Sequence, residues 1–127
     1  MATPHGRALL DELQALADAA PAGCRVREAG AITLSGHRLP LPVFLLGDAD
    51  PALPGFAVVA GVHGLERIGV EVALAFLRSL LARLAWDEAL HQLLARLHVV
   101  LMPVINPGGL LRGTRANPAG EIGRAHV

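Results

Sequence analysis

His63 and Glu66 stand three residues apart in Gly61-Val62-His63-Gly64-Leu65-Glu66, directly after the apolar run Ala57-Val58-Val59-Ala60. A strand end projects its last side chain from the edge of a sheet. Gly61 and Gly64 relax the backbone for a sharp turn, and Glu66 then begins a helix. Two side chains can therefore face one point. Imidazole and carboxylate are donors that zinc accepts, and a catalytic zinc takes three protein ligands plus an open position. With two of the three visible, the pair reads as half of a metal site. Taken alone, the same residues also fit a hydrogen-bonded structural histidine and a glutamate favoured at a helix N-terminus by the macrodipole.

The elements that must position this pair follow from periodicity. Leu9, Leu10, Leu13 and Leu16 at helical spacing predict an N-terminal helix over Arg7 to Ala20, stopped by Pro21-Ala22-Gly23. Short strands are expected at Arg25 to Glu28, Ala31 to Leu34 and Leu41 to Leu46, separated by Gly30, Ser35-Gly36 and prolines. Pro40 and Pro42 argue for an edge position. Asp48 to Gly55 reads as a loop. Phe56 to Val62 and Val99 to Ile105 are nearly continuous apolar runs, which suits parallel strands covered on both faces. Between them, Val70, Leu74, Leu77, Leu81 and Leu84 mark one face of a helix over Ile68 to Leu84. Asp87 caps a second helical piece bearing Leu90, Leu93, Leu94 and Leu97.

Strand, crossover helices and strand make a βαβ unit with parallel strands. Parallelism brings His63 and Glu66 to the same sheet edge as Asn106-Pro107-Gly108-Gly109, where ligand sites of open α/β sheets lie. The second loop then carries Arg112 and Arg115, offering a fixed positive charge near the histidine. Each could also be a solvated loop charge, and Asn106 to Gly109 is a competent turn by itself. His5, His37, His91 and His98 join no converging pattern and read as surface or core histidines.

The chain has 127 residues, 53% of them hydrophobic, and a formal net charge of zero. That is enough for one domain, with no reason to expect a nucleic-acid or anionic-membrane partner. All basic residues are Arg and there is no Tyr, a codon-usage signature without chemical content. Cys24 is the single cysteine. It cannot form an internal disulfide and reads as a small buried apolar side chain. With no apolar leader and no run of about eighteen apolar residues, a cytoplasmic location is expected.

From Gly61 to Gly120 the chain resembles the M14 zinc carboxypeptidases and their deacylase relatives, succinylglutamate desuccinylase and aspartoacylase. Members of that family carry a strand followed by G-x-H-G-x-E, a helix, a buried strand ending in N-P-x-G, an arginine segment, then G-V-D-L-N-R-N. The resemblance implies that His63 and Glu66 are the first two zinc ligands and that Arg115 polarises the scissile carbonyl. It makes Asn106-Pro107-x-Gly109 the structural turn before that arginine. The implied fold is α/β, a three-layer sandwich with a mixed, largely parallel sheet, present here only as its N-terminal part. The implied activity is hydrolysis of an amide next to a terminal carboxylate in a peptide or an acyl amino acid, with Zn2+ as cofactor. Peptidase and deacylase are not separated at this level, and the oligomeric state is undetermined.

After Gly120 the family pattern breaks, and the chain reads Glu121-Ile122-Gly123-Arg124-Ala125-His126-Val127. That heptapeptide resembles the in-frame translation of a common sequencing adapter followed by a stop codon. Residues 1–120 are thus expected to be the N-terminal portion of a single catalytic domain, and 121–127 a non-native tail. The third zinc ligand, an Asn-Arg pair for the substrate carboxylate and the general-base glutamate all lie downstream in the family. His126 falls in the tail and is not promoted to third ligand, so the chain alone is expected to be inactive.

Two other functional classes bear on the same residues. A serine hydrolase would need a G-x-S-x-G elbow, but Ser35 and Ser79 sit in Leu-Ser-Gly and Arg-Ser-Leu contexts. A non-catalytic domain using Gly61 to Glu66 to bind an anion at a helix N-terminus stays open.

Overall fold

The computed structural model of the chain describes residues 2–122. The expected tail therefore lies outside the described residues from 123 onward, His126 included. In chain order the elements are α1 (Pro4–Asp18), β1 (Cys24–Leu34), β2 (His37–Gly47), β3 (Gly55–Val59), α2 (Arg67–Arg83), α3 (Glu88–Leu94), β4 (His98–Met102) and α4 (Pro107–Arg112). The strands form one mixed sheet in the order β1-β2-β4-β3.

Helix α1 starts earlier than its leucine periodicity implies, because Thr3 and Pro4 build the first turn. Thr3 Oγ1 accepts from the Gly6 amide at 3.1 Å, and Pro4 needs no donor there. Helix α2 keeps to its expected span within one residue. Helix α3 is shorter than its leucine pattern: it closes at Leu94, and Leu97 packs on the core from beyond it.

The short strands expected over 25–46 are two long ones. Gly30 does not end β1. It lies in a bulge where the β1–β2 register shifts between Glu28 and Ala31, and pairing resumes beyond it. Ser35 and Gly36, with φ of 51° and 77°, then close a tight hairpin between Leu34 and His37. The edge position inferred from Pro40 and Pro42 is corrected, since β2 lies between β1 and β4. The prolines are tolerated because β4 pairs only with Phe44 to Gly47, leaving that side of β2 open where the prolines sit.

The expected parallel pairing is present between β3 and β4, running in register from Gly55↔His98 to Val59↔Met102. The other two neighbour pairs are antiparallel. Phe44, Leu46, Val99 and Leu101 face one side of the sheet. There they join Leu9 and Leu13 of α1, Val70, Leu74, Leu77 and Leu81 of α2, Leu90 and Leu94 of α3, and Leu110 of α4 in one core. On the opposite face Val43, Leu45, Val100 and Met102 are only half-buried. Burial of the first apolar run on both faces is corrected too: Phe56 and Val59 are each 54% exposed. Among the described residues β3 pairs with β4 alone, so the apolar run there records strand propensity and not burial.

Candidate metal and catalytic site

The two loops that carry the site leave the carboxyl ends of β3 and β4, and their backbones stay paired beyond the strands. The Ala60 amide donates to Met102 O at 3.1 Å, Ile105 to Ala60 O at 2.9 Å and Asn106 to Gly61 O at 3.0 Å. Pro103, which lacks a donor, ends β4 as a strand without ending this zipper. Gly61 takes φ +72°, a conformation that favours glycine. Gly64 is needed for a different reason. A Cβ there would collide with the backbone of Gly109 and Leu110, so the histidine loop lies directly on the start of α4.

Within this frame the three expected residues come together. His63 Nδ1 faces Glu66 Oε1 at 3.3 Å, and Arg115 Nη2 stands 3.9 Å from the same carboxylate oxygen. The histidine side chain is 19% exposed, whereas Glu66 and Arg115 are open to solvent. The His63 carbonyl accepts from the Glu66 amide at 3.0 Å, closing the turn. Glu66 occupies the N-cap position of α2, yet its side chain makes no capping hydrogen bond. A carboxylate not committed to its own helix remains available to a cation.

Donor spacing tests whether zinc fits. Two donors each about 2.1 Å from one tetrahedral ion stand about 3.4 Å apart. The observed 3.3 Å between His63 Nδ1 and Glu66 Oε1 matches that spacing. Among the described residues no third His, Cys, Asp or Glu joins the pair. Two other described histidines are engaged elsewhere: His5 Nε2 pairs with Glu71 Oε1 at 2.6 Å, and His91 Nε2 meets Leu84 O at 2.7 Å. His98 lies at the opposite end of β4, beside Gly55. Arg112 ends α4 as its last-turn basic residue and is exposed.

Asn106 has a larger part than that of a turn residue. It caps α4, a short helix where only a turn and loop were expected, with Pro107 in the first turn. Its Oδ1 accepts from the Gly109 amide at 2.9 Å. Its Nδ2 donates to Val62 O at 3.1 Å and to Ala116 O at 3.3 Å. It is 8% exposed. Asn before Pro-Gly-Gly is a readable cap signal, but nothing in the sequence marks the two carbonyls. A groove of about 670 Å³ runs alongside, lined by Val59, Val62, His63, Glu66, Val72 and Phe76.

The α/β scaffold brings His63, Glu66 and Arg115 together beyond the carboxyl ends of two parallel strands. A family model described as zinc carboxypeptidase matches residues 9–127, and the chain belongs to that family. Human carboxypeptidase D is 31% identical over 79 residues, covering 62% of this chain and 6% of that protein; the mouse protein is 28% identical over the same length. The structure of a metallo-carboxypeptidase from Burkholderia cenocepacia superposes with a TM-score of 0.68 at 25% identity, over 87% of this chain and 29% of that one. Bovine thrombin-activatable fibrinolysis inhibitor shares the fold, with a TM-score of 0.58 at 19% identity over 82% of this chain and 31% of that one. The chain thus spans less than a third of each of these proteins. No helix among the described residues is long and apolar enough to cross a membrane.

Proposed function

We propose that this chain carries His63 and Glu66 as two zinc ligands, and Arg115 as the oxyanion-stabilising residue, of a metallocarboxypeptidase that removes a residue bearing a free terminal carboxylate. The observation that carries the reading is the convergence of His63 Nδ1 and Arg115 Nη2 on Glu66 Oε1. Bound zinc would supply Lewis acidity toward the carbonyl oxygen and bring the pKa of water toward about 7. To hold zinc, His63 offers an imidazole nitrogen and Glu66 a carboxylate that makes no capping hydrogen bond. Arg115 stays beyond hydrogen-bond length from Glu66, so its N–H donors remain available to the oxygen on which charge develops.

On this reading residues 1–120 are the N-terminal portion of one catalytic domain, the tail 121–127 is non-native, and the chain alone is inactive because a third ligand and a general base are needed. Sequencing the source locus should show coding sequence that departs from the present one after Gly120. The activity test uses the protein encoded there, a peptide with a free α-carboxylate, its C-terminally amidated copy and an N-acyl amino acid. Chelator-sensitive release of the last residue from the free peptide alone is expected. Equal cleavage of the amidated copy, or activity that survives chelation, overturns the assignment. Preference for the N-acyl amino acid moves it to the deacylases.

A further inference from the structure

We infer that Asn106 is a positioning residue that fixes the histidine loop and the arginine loop relative to each other, beyond its service as a helix cap. The inference rests on the proposed function only for what the two loops carry. Val62, whose carbonyl takes one Nδ2 hydrogen at 3.1 Å, immediately precedes His63. Ala116, whose carbonyl takes the other at 3.3 Å, immediately follows Arg115. One amide nitrogen therefore ties the residue before the metal donor to the residue after the cation. The orientation of the amide is settled by its partners, because an N–H donor on Gly109 demands the oxygen and two carbonyls demand the nitrogen.

Capping alone does not call for asparagine. Serine or aspartate would cap α4 as well, since each offers an oxygen to the Gly109 amide. Only an amide side chain adds two donors at the same place. Burial makes those donors consequential: Asn106 is 8% exposed, so water is a poor substitute at Val62 O and Ala116 O.

Two substitutions separate the roles. Asn106→Asp and Asn106→Ser keep an oxygen for the Gly109 amide and lose both donations. Spin labels on Leu65→Cys and Ala119→Cys, in a chain also carrying Cys24→Ala, report the loop separation by double electron–electron resonance. The full chain is used, without metal or substrate, so the result stands apart from any failure of the zinc assignment. With Asn106 present, one narrow distance population is expected. Both variants should lose it for a broad one, while helical circular dichroism and cooperative melting persist. Should the buried aspartate fail to fold, the serine variant decides. An unchanged narrow population in a folded serine variant overturns the inference, and so does loss of cooperative melting in both, which would make Asn106 a general fold determinant.

Discussion

Arg115 holds its guanidinium 3.9 Å from Glu66 Oε1, the carboxylate oxygen that also faces His63 Nδ1. Ion pairs this exposed are worth about 0–1 kcal/mol, so the contact is not what holds the loops in place. His63 and Glu66 are instead carried there by the backbone zipper beyond β3 and β4, and Arg115 by the loop that Asn106 ties to Val62. Their roles separate by substitution in a protein whose metal site is complete. His63→Ala or Glu66→Ala should abolish zinc retention and activity together. Arg115→Ala should keep the zinc and lower kcat by about 10²–10³ with a smaller change in KM, because the charge it meets develops in the transition state. Metal analysis beside steady-state kinetics checks both. An Arg115→Ala enzyme with unchanged kcat, or one without its metal, removes Arg115 from the site.

The chain as it stands should bind zinc weakly. Two donors at 3.3 Å leave a tetrahedral ion open on two sides, and no third donor joins them among the described residues. Equilibrium dialysis of the purified chain should show sub-stoichiometric metal at micromolar zinc. Tight one-to-one binding would place a third ligand outside the described residues, with His126 the first to replace.

The approach of His63 to Glu66 was readable in the sequence because the two are near neighbours after a strand, and their spacing alone sets their common direction. Topology placed Arg112 and Arg115 near the histidine, but choosing Arg115 needed a resemblance, since its approach to Glu66 depends on the pairing of two loops far apart in the chain. The double donation of Asn106 was not readable at all: its partners are the carbonyls of Val62 and Ala116, and a carbonyl leaves no trace in residue identity. Helices α1, α2 and α3 followed their leucine spacing to within a few residues. β2 was misplaced at an edge because proline reports a missing donor on one side of a strand, and β4 covers only the other half of β2's length. β3 was expected to be buried because a run such as Phe56 to Val62 does not say what lies over it.

Two glycines should respond oppositely to alanine. Gly64 admits no Cβ without displacing the backbone of Gly109 and Leu110, whereas Gly69, inside α2, has open space around it. Gly64→Ala should destabilise the chain by about 1–3 kcal/mol as the loop is forced off α4. Gly69→Ala should stabilise it by up to about 1 kcal/mol through helix propensity. Denaturant titration of both variants checks the pair, and equal shifts would mean that the close approach at Gly64 is relieved at little cost.

Acid should weaken the α2–α3 corner through Asp87. Its Oδ1 accepts from the Leu90 amide at 3.1 Å and its Oδ2 from Arg83 Nε at 2.7 Å. The Leu90 amide first, then Arg83, hold its carboxyl below the usual carboxylate range. A group whose pKa is lower folded than unfolded contributes stability above the unfolded value and loses it as pH falls through the folded one. Tm should therefore decline on acidification from about pH 5 to about pH 3. Asp87→Asn retains a capping oxygen and cannot ionise, so its profile should be flatter across that window. Parallel profiles for the two proteins would assign the acid sensitivity to other carboxylates.

The free edge of β3 should make the chain self-associate. Among the described residues β3 pairs with β4 alone, and Phe56, Val59 and Val62 are 54%, 54% and 48% exposed. Alongside, Val72 and Phe76 of α2 are 62% and 39% exposed, extending the apolar surface from strand to helix. No charged residue lies between Pro54 and Val62. Edge strands avoid pairing with other chains through lysines, bulges or prolines within the strand, and Gly55 to Val59 has none of these. Sedimentation velocity should show association rising over about 1–100 μM, the range in which exposed apolar edges aggregate. Val59→Lys puts a charge on an exposed edge position and should shift the protein toward monomer without lowering Tm. A chain that stays monomeric throughout, or a lysine variant that associates equally, would show that this edge is not the contact.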